Sequence, residues 1–163
     1  MLASITSRVL RLLCYPNLVR AMPGRYSVGT RRVRIPGSVA CQILYPSTSA
    51  KNQRRAPYWR PEAIDGLSHY SKLPAELFRT VLTYAYHPCL EAPPPLAGEN
   101  GHKWPLVIFS HGLGGCEEMY SQLCCFLASH GHVVVVLEHE DGSGCHASNV
   151  DGEQVRGQGV KWR

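Results

Sequence analysis

Two continuous apolar runs in the second half of the chain are the clearest signal in its pattern of hydrophobic and polar positions. Residues 106–109 and 133–137 are apolar throughout, as strands covered by helices on both faces are. Between them, the glycine-rich turn 112–115 precedes residues 117–130, whose apolar side chains recur at helical spacing up to Gly131. This order of strand, helix and strand predicts a βαβ unit with parallel strands.

The first half of the chain predicts a β-hairpin. Residues 31–35 and 38–45 are rich in β-branched and aromatic side chains, and they flank the dipeptide Pro36-Gly37. Because Pro-Gly between two such segments is a strong turn signal, we expect two antiparallel strands here.

The segments between the hairpin and the first apolar run are less regular. Residues 47–61 are polar and arginine-rich and predict a loop, whereas residues 62–90 show helical spacing in pieces, with Pro74 starting a new helix. Residues 93–101 are rich in proline and glycine and predict a second loop. In an esterase this loop would form part of the wall of the substrate pocket. The alternative is a surface loop without a role in binding.

Charge divides the chain unevenly. Residues 1–61 contain eleven Lys or Arg and no Asp or Glu, although the net charge of the whole chain is only +5. Within residues 1–22, apolar side chains at helical spacing are interrupted by Arg8 and Arg11, which is typical of a mitochondrial or plastid transit peptide. An amphipathic helix on an anionic membrane surface and a disordered basic leader are the alternatives. Secretion is disfavoured, so mitochondrial and cytoplasmic locations stay open, and a nucleic-acid partner is not expected.

The seven cysteines form no Cys-x-x-Cys pair, and we expect reduced thiols. Cys124 and Cys125 lie in the predicted helix, with one expected to face the core and the other to face away. The segments His130-x-His132 and Cys145-His146 complete no zinc-ligand spacing. We therefore predict no metal and no cofactor.

Two chemistries use a glycine turn between a strand and a helix. Dinucleotide binding would use Gly112-x-Gly114, with Glu138 at the end of the next strand as the ribose-binding acid. Glu117 stands where the third glycine of that fingerprint belongs, beside Glu118. Two carboxylates at this place would repel a pyrophosphate, which weakens the dinucleotide interpretation.

Acyl transfer is the second chemistry. A His-Gly-rich loop after a strand can offer a backbone N–H to the oxyanion of a tetrahedral intermediate, and one such donor contributes about 3 to 4 kcal/mol to catalysis. The candidate donor is the N–H of Leu113, and Gly112 and Gly114 allow the backbone to approach the substrate. His111 is expected to position the loop by hydrogen bonding, and a structural histidine is the alternative.

These residues resemble a known family. Residues 104–114, Tyr120-Ser121, residues 127–131 and Glu138-His139 with Asp141 are similar to the platelet-activating factor acetylhydrolases. The resemblance implies an α/β-hydrolase that removes short or oxidised acyl groups from the sn-2 position of phospholipids without calcium. It covers most of residues 23–144, which we expect to form the N-terminal part of a truncated α/β-hydrolase catalytic domain. Residues 145–163 are expected to be an irregular tail.

The resemblance also implies a nucleophilic serine in a Gly-x-Ser-x-Gly turn, followed by an acid and a base. No such pentapeptide occurs in the 163 residues, so no nucleophile, acid or base is assigned. His139, Asp141 and Ser143 alternate along one segment, and in an extended strand they would point in parallel and could not form a triad.

The resulting expectation is the N-terminal portion of a serine esterase that hydrolyses the sn-2 acyl ester of phospholipids in lipid catabolism and is inactive alone. Its partners would be a phospholipid and a membrane surface. A non-catalytic binding or regulatory isoform and a degenerate dinucleotide-binding module are the alternatives. The implied sheet would also leave the strand at residues 106–109 with one open edge.

Overall fold

The computed structural model describes residues 24–48, 53–83, 85–98, 101, 103–148 and 154–156. The predicted leader at residues 1–22 lies outside the described residues. The helices and strands follow in chain order as β1 (Ser27–Arg34), β2 (Ala40–Ser47), β3 (Arg55–Pro57), α1 (Pro61–Ser71), α2 (Ala75–Leu82), β4 (Tyr86–Glu91), β5 (Leu106–Ser110), α3 (Ser121–Ser129), β6 (Val133–Leu137), β7 (His146–Ser148) and β8 (Gln154–Arg156). None of the helices within these ranges is long and apolar enough to cross a membrane.

The predicted hairpin is present as β1 and β2, which pair antiparallel along their full length. The Ser38 N–H donates to the Ile35 carbonyl over 2.9 Å, and Gly37 has a φ of 72°. A type II turn requires a positive φ at its third position and favours proline at its second, and Pro36-Gly37 fits both positions.

The predicted βαβ unit is also present. Strands β5 and β6 are parallel neighbours, with Leu106 opposite Val133, and α3 connects them along the chain. They complete a mixed six-stranded sheet of order β3-β4-β1-β2-β6-β5, which together with the helices forms an α/β-hydrolase-like fold. Helix α3 begins at Ser121, later than the predicted position 117, because Glu117 and Glu118 lie in a preceding turn.

The main core lies between the sheet and α3. Leu44, Val134 and Val136 are fully buried on the sheet, and the facing α3 residues Cys124 and Cys125 are fully buried as well. The expectation that one cysteine faces outward was wrong, because α3 also packs against β4 and β1.

The expectation of reduced thiols was wrong for one pair of cysteines. Cys89 on β4 and Cys125 on α3 form a disulfide, whereas Cys41, Cys116, Cys124 and Cys145 are free and buried. The two bonded cysteines are 36 positions apart in sequence, so no short cysteine spacing predicts the pair.

The opposite face of β5 is open. Leu106 and Ile108 are 62% and 65% exposed, whereas Val107 and Phe109 pack against the core. Within the described residues β5 pairs only with β6 and therefore forms one edge of the sheet, as expected.

Three features were absent from the sequence prediction. Strand β3 lies in the predicted loop at residues 47–61, and β4 lies where helical spacing was expected. Strands β7 and β8 pair antiparallel within the tail that was expected to be irregular. Each strand of that pair has three residues, which is too short to show a hydrophobic period. Pro74 directly precedes α2, as predicted.

Candidate active site

The glycine turn follows β5 directly, at the carboxyl end of the strand. The Gly115 N–H donates to the Gly112 carbonyl over 3.0 Å, and Gly114 has a φ of 70°. Leu113 and Gly114 therefore occupy the two central positions of a type II turn. The Gly114 N–H donates to the Ser143 carbonyl over 2.8 Å, which anchors one side of the turn to the segment after β6.

The other side of the turn faces solvent. Gly112 and Leu113 are exposed, with Leu113 51% accessible. Within the described residues, the backbone N–H groups of Gly112 and Leu113 make no hydrogen bond to another part of the chain. An exposed, unused N–H at the end of a parallel strand can donate to a substrate oxygen.

His111 lies buried beneath this turn. Its Nδ1 is 3.0 Å from the Gly112 carbonyl oxygen, and its Nε2 is 3.4 Å from Glu138 Oε1. Burial lowers the pKa of His111, but Glu138 and the Gly112 carbonyl outweigh this effect and raise the pKa above its ordinary value. Only the protonated imidazole can offer hydrogen to both acceptors. His111 contacts the turn that it was predicted to position, and that role stays a prediction.

Five charged side chains form a buried charge cluster behind His111: Arg32, Arg60, Glu117, Glu118 and Glu138. Arg60 Nη2 is 2.7 Å from Glu138 Oε2 and 3.2 Å from Glu117 Oε1, and Arg60 Nε donates to Glu118. Arg32 Nε donates to Glu117 over 2.7 Å. The three carboxylates are almost completely buried, so the arginines are their main compensation.

The buried charge cluster contains one more carboxylate than guanidinium. Burial and the neighbouring Glu118 raise the pKa of Glu117 to about 7, although Arg60 and Arg32 oppose them. For Glu118, burial acts in the same direction, but Arg60 outweighs it and holds the pKa well below its usual range. A proton on Glu117 or on His111 makes the cluster and His111 together electrically neutral.

Three side chains next to the turn form a hydroxyl–imidazole chain: Ser110, His139 and Ser143. Ser110 Oγ is 2.7 Å from His139 Nε2, and His139 Nδ1 is 3.1 Å from Ser143 Oγ. The Ser143 N–H donates to Asp141 Oδ1 over 2.8 Å. The sequence argument against a cluster here assumed extended backbone, but residues 140–143 form a turn that folds Ser143 back towards His139.

The two histidines at the end of α3 have structural partners. His130 Nδ1 and His132 Nδ1 lie 2.8 Å and 3.1 Å from carbonyl oxygens of the last turns of α3.

Among the described residues, two groups of side chains have ligand atoms close enough to share a metal ion. The first group is His87, Cys89 and Cys125, and the second is Glu117, Glu118 and Glu138. The disulfide occupies the two cysteines of the first group, and arginines pair with the second.

Glu138 does not have the surroundings that the dinucleotide interpretation requires. Its side chain is buried against Arg60 and His111 rather than exposed at the end of β6. A ribose hydroxyl at the sheet edge would have to displace one of these partners.

Comparison with known proteins identifies the family. Residues 15–159 match the model described as platelet-activating factor acetylhydrolase, isoform II. The chain belongs to this family. The match continues past residue 144, so the expectation that the similarity ends there was wrong.

Two relatives show how much of the family the chain represents. It is 34% identical over 132 residues to the platelet-activating factor acetylhydrolase of Canis lupus familiaris, which covers 74% of this chain and 28% of the relative. It is 38% identical over 106 residues to that of Gallus gallus, which covers 63% of this chain and 25% of the relative. The chain thus spans about a quarter of the length of these relatives.

A solved structure shares the fold. The ferulic acid esterase from Streptomyces cinnamoneus superposes with a TM-score of 0.56 and 18% identity, and the match covers 85% of this chain and 39% of the esterase. The similarity therefore concerns the arrangement of the sheet and helices.

Proposed function

We propose that this chain supplies the oxyanion-binding loop of a calcium-independent serine esterase that hydrolyses the sn-2 acyl ester of phospholipids. The model substrate is 1-alkyl-2-acetylglycerophosphocholine, which is platelet-activating factor. The proposal depends on one observation: Leu113 is exposed on a turn at the carboxyl end of β5, and its N–H makes no hydrogen bond within the described residues. Membership of the acetylhydrolase family supports the choice of reaction.

The donor would act on charge that develops during acyl transfer. When a nucleophile attacks the ester carbonyl, the carbonyl oxygen becomes negative, and a fixed N–H close to it lowers the barrier by about 3 to 4 kcal/mol. Gly112 has no side chain to obstruct the approach. Gly114 provides the positive φ that the turn requires, and the ring of Tyr70 lies only 2.5 Å from where its Cβ would stand.

The buried groups would keep the donor in place. Glu138 faces His111, and His111 in turn reaches the Gly112 carbonyl, whose peptide group contains the Leu113 N–H. Because Arg60 also holds Glu138, the orientation of this peptide is coupled to the buried charge cluster. Preorganisation of this kind avoids reorganisation at the moment of reaction.

A lipid substrate agrees with the surface around the turn. Leu113 in the turn, Met119 in the segment before α3 and Leu123 in the first turn of α3 are exposed apolar side chains. Exposed apolar residues in one region mark binding surfaces for apolar ligands or membranes. Contact with a phospholipid surface is therefore part of the proposal.

We further infer that the chain does not hydrolyse phospholipid by itself, because it contains no Gly-x-Ser-x-Gly turn. In this account the nucleophile, acid and base of phospholipid hydrolysis belong to a part of the catalytic domain that these residues do not include.

A hybrid enzyme tests the proposal. The residues aligned with the Canis lupus familiaris relative would replace the matching stretch of that enzyme, and hydrolysis of a 2-acetyl phospholipid would be measured. We expect an active hybrid and no turnover by the chain alone. A hybrid that folds, judged by circular dichroism, but does not hydrolyse the substrate would contradict the proposal, as would phospholipid turnover by the isolated chain.

A further inference from the structure

We propose that Ser110 is a nucleophile, activated by His139, that accepts an acyl or phosphonyl group from small activated esters. This inference goes beyond the proposed function, because it assigns to the chain a reactive serine outside any Gly-x-Ser-x-Gly turn. It revises the expectation that the chain holds no nucleophile, and it concerns a covalent step rather than phospholipid turnover.

The first argument is the contact between hydroxyl and imidazole. Ser110 Oγ and His139 Nε2 are 2.7 Å apart, which is within the range that identifies a nucleophile and its general base. The two residues are 29 positions apart in sequence and are brought together because β5 and β6 are parallel neighbours. Ser110 lies opposite Leu137, and His139 follows two residues later.

The second argument is the orientation of the imidazole. For Nε2 to accept the Ser110 proton, the ring hydrogen of the neutral imidazole must be on Nδ1. Ser143 Oγ lies 3.1 Å from Nδ1 and can accept a hydrogen bond from it. The His139 ring also stacks on His111, with 3.9 Å between ring centroids. A base whose second nitrogen is bonded and whose ring is packed is held in one tautomer and one direction.

The third argument is the charge state of His139. Burial and the nearby His111 lower its pKa, and Asp141 and Glu138 oppose this only in part. The imidazole is therefore neutral near pH 7, which is the form that can accept a proton. Asp141 Oδ1 accepts a hydrogen bond from the backbone N–H of Ser143 over 2.8 Å, which places a carboxylate next to the Ser143 end of the hydroxyl–imidazole chain.

The fourth argument is access. Ser110 is the last residue of β5 and is exposed, so an ester in solvent can reach its oxygen. The exposed N–H of Leu113 follows three residues later at the same end of the strand. A serine that only terminates a strand needs neither a solvent-accessible oxygen nor an oriented imidazole.

The covalent step balances without a further reactant. Ser110 Oγ bonds to the carbonyl carbon of p-nitrophenyl acetate while its proton moves to His139 Nε2. The bond from that carbon to the phenolic oxygen then breaks, and p-nitrophenolate leaves. With an alkyl fluorophosphonate, Oγ bonds to phosphorus and fluoride leaves. In both cases the proton passes from His139 to solvent.

The test uses the full 163-residue chain. Incubation with an alkyl fluorophosphonate should add one phosphonyl group per chain, and mass spectrometry of proteolytic peptides should locate it at Ser110. Ser110→Ala should abolish the label. Ser38→Ala, which removes an exposed serine in the turn between β1 and β2, should leave it unchanged.

Two further variants separate activation from folding. His139→Gln should slow labelling of Ser110 by about 10²-fold, because general-base catalysis typically contributes that factor or more. Ser143 is a positioning residue, so Ser143→Ala should slow labelling and Ser143→Thr, which keeps the hydroxyl, should restore it.

Two outcomes would overturn the proposal. One is the absence of any adduct on the unmodified chain, and the other is an adduct at a residue other than Ser110. Peptide mapping of the chain without substitutions locates the adduct directly, so the result does not depend on whether a variant folds. The labelling experiment and the hybrid enzyme test separate proposals. A negative labelling result does not affect the interpretation of the hybrid, and an inactive hybrid does not affect the interpretation of the labelling.

Discussion

The two sides of the glycine turn have opposite character. On the inner side, His111 and the three carboxylates of the buried charge cluster are nearly inaccessible, and the partly buried Arg32 and Arg60 pair with these carboxylates. On the outer side, Gly112 and Leu113 are exposed, and their N–H groups are unused within the described residues. This difference teaches how rigidity and availability can be divided between neighbouring groups: in the proposed function, the buried charges would fix the peptide, and the Leu113 N–H would stay free for a substrate oxygen.

The largest expected effect breaks the inner side. Arg60 contacts all three carboxylates of the buried charge cluster, and Arg32 pairs only with Glu117 and Glu118, so Arg60→Ala leaves the buried Glu138 without a guanidinium partner from the cluster. We expect a loss of about 3 to 5 kcal/mol in the free energy of unfolding, measured by urea denaturation. The matched control is Arg79→Ala, which removes an exposed arginine paired with Asp65 and Glu76 and should change the free energy of unfolding far less, because solvent screens exposed ion pairs. Equal losses in the two variants would show that the cluster is not a structural anchor.

The second prediction concerns the junction of the two sides. Gly114 and Gly37 have nearly the same φ, 70° and 72°, so alanine imposes similar backbone strain at both positions. A Cβ at Gly37 meets nothing within 4 Å, whereas at Gly114 it would stand 2.5 Å from the Tyr70 ring. We expect Gly37→Ala to cost about 1 kcal/mol and Gly114→Ala to cost about 1 to 3 kcal/mol more.

Thermal or urea unfolding of both alanine variants measures this difference. Similar costs at the two glycines would mean that α1, which carries Tyr70, does not press on the turn.

The third prediction follows from the extra carboxylate on the inner side. The pKa of Glu117 is raised to about 7, so the folded chain binds a proton that the unfolded chain has already released between about pH 4.5 and pH 7. The contribution of Glu117 to stability therefore falls as pH rises through this window. The raised pKa of His111 acts in the same direction, because its stabilising contribution is lost as pH rises through the folded value.

Urea unfolding at roughly pH 5 and roughly pH 8.5 measures the effect. Glu117→Gln should reduce the difference between the two conditions by on the order of 1 to 3 kcal/mol, because the amide does not titrate. Glu76→Gln, at an exposed position, should leave the difference unchanged. Because the buried His87, whose pKa is lowered to about 3 by burial, acts in the opposite direction between about pH 5 and pH 6.5, the test is the change caused by the variant: a difference that Glu117→Gln leaves unchanged would contradict the proposed protonation of the cluster.

The exposed side could be predicted from sequence because it is local. The turn at residues 112–115 follows an apolar run and precedes a helical period, and the Pro36-Gly37 hairpin is equally local. Strand β4 was missed because Pro88 interrupts it, and its pairing with β3 is irregular at that level.

The buried side was hidden because its partners are distant in sequence. Arg32 and Glu117 are 85 positions apart, and Arg60 and Glu118 are 58 positions apart. One signal was available: Arg32 in β1 and Gln42 in β2 are polar residues that pair on the face of the sheet that carries the buried Leu44 and Val136. Polar side chains on a core-facing position indicate partners elsewhere in the fold. Neither Ser110 nor His139 belongs to a recognisable sequence motif for a nucleophile and its base. They come into contact only through the parallel pairing of β5 and β6.

Removal of the Leu113 N–H alone tests the central claim most directly. Leu113 occupies the second position of a type II turn, where proline is well accommodated, so Leu113→Pro deletes the donor and keeps the turn. In the hybrid enzyme this variant should lower kcat for a 2-acetyl phospholipid by about 10² to 10³, with KM little changed. Leu113→Ala, which keeps the N–H, should stay within a few-fold of the parent. A folded Leu113→Pro hybrid with undiminished kcat would contradict the account.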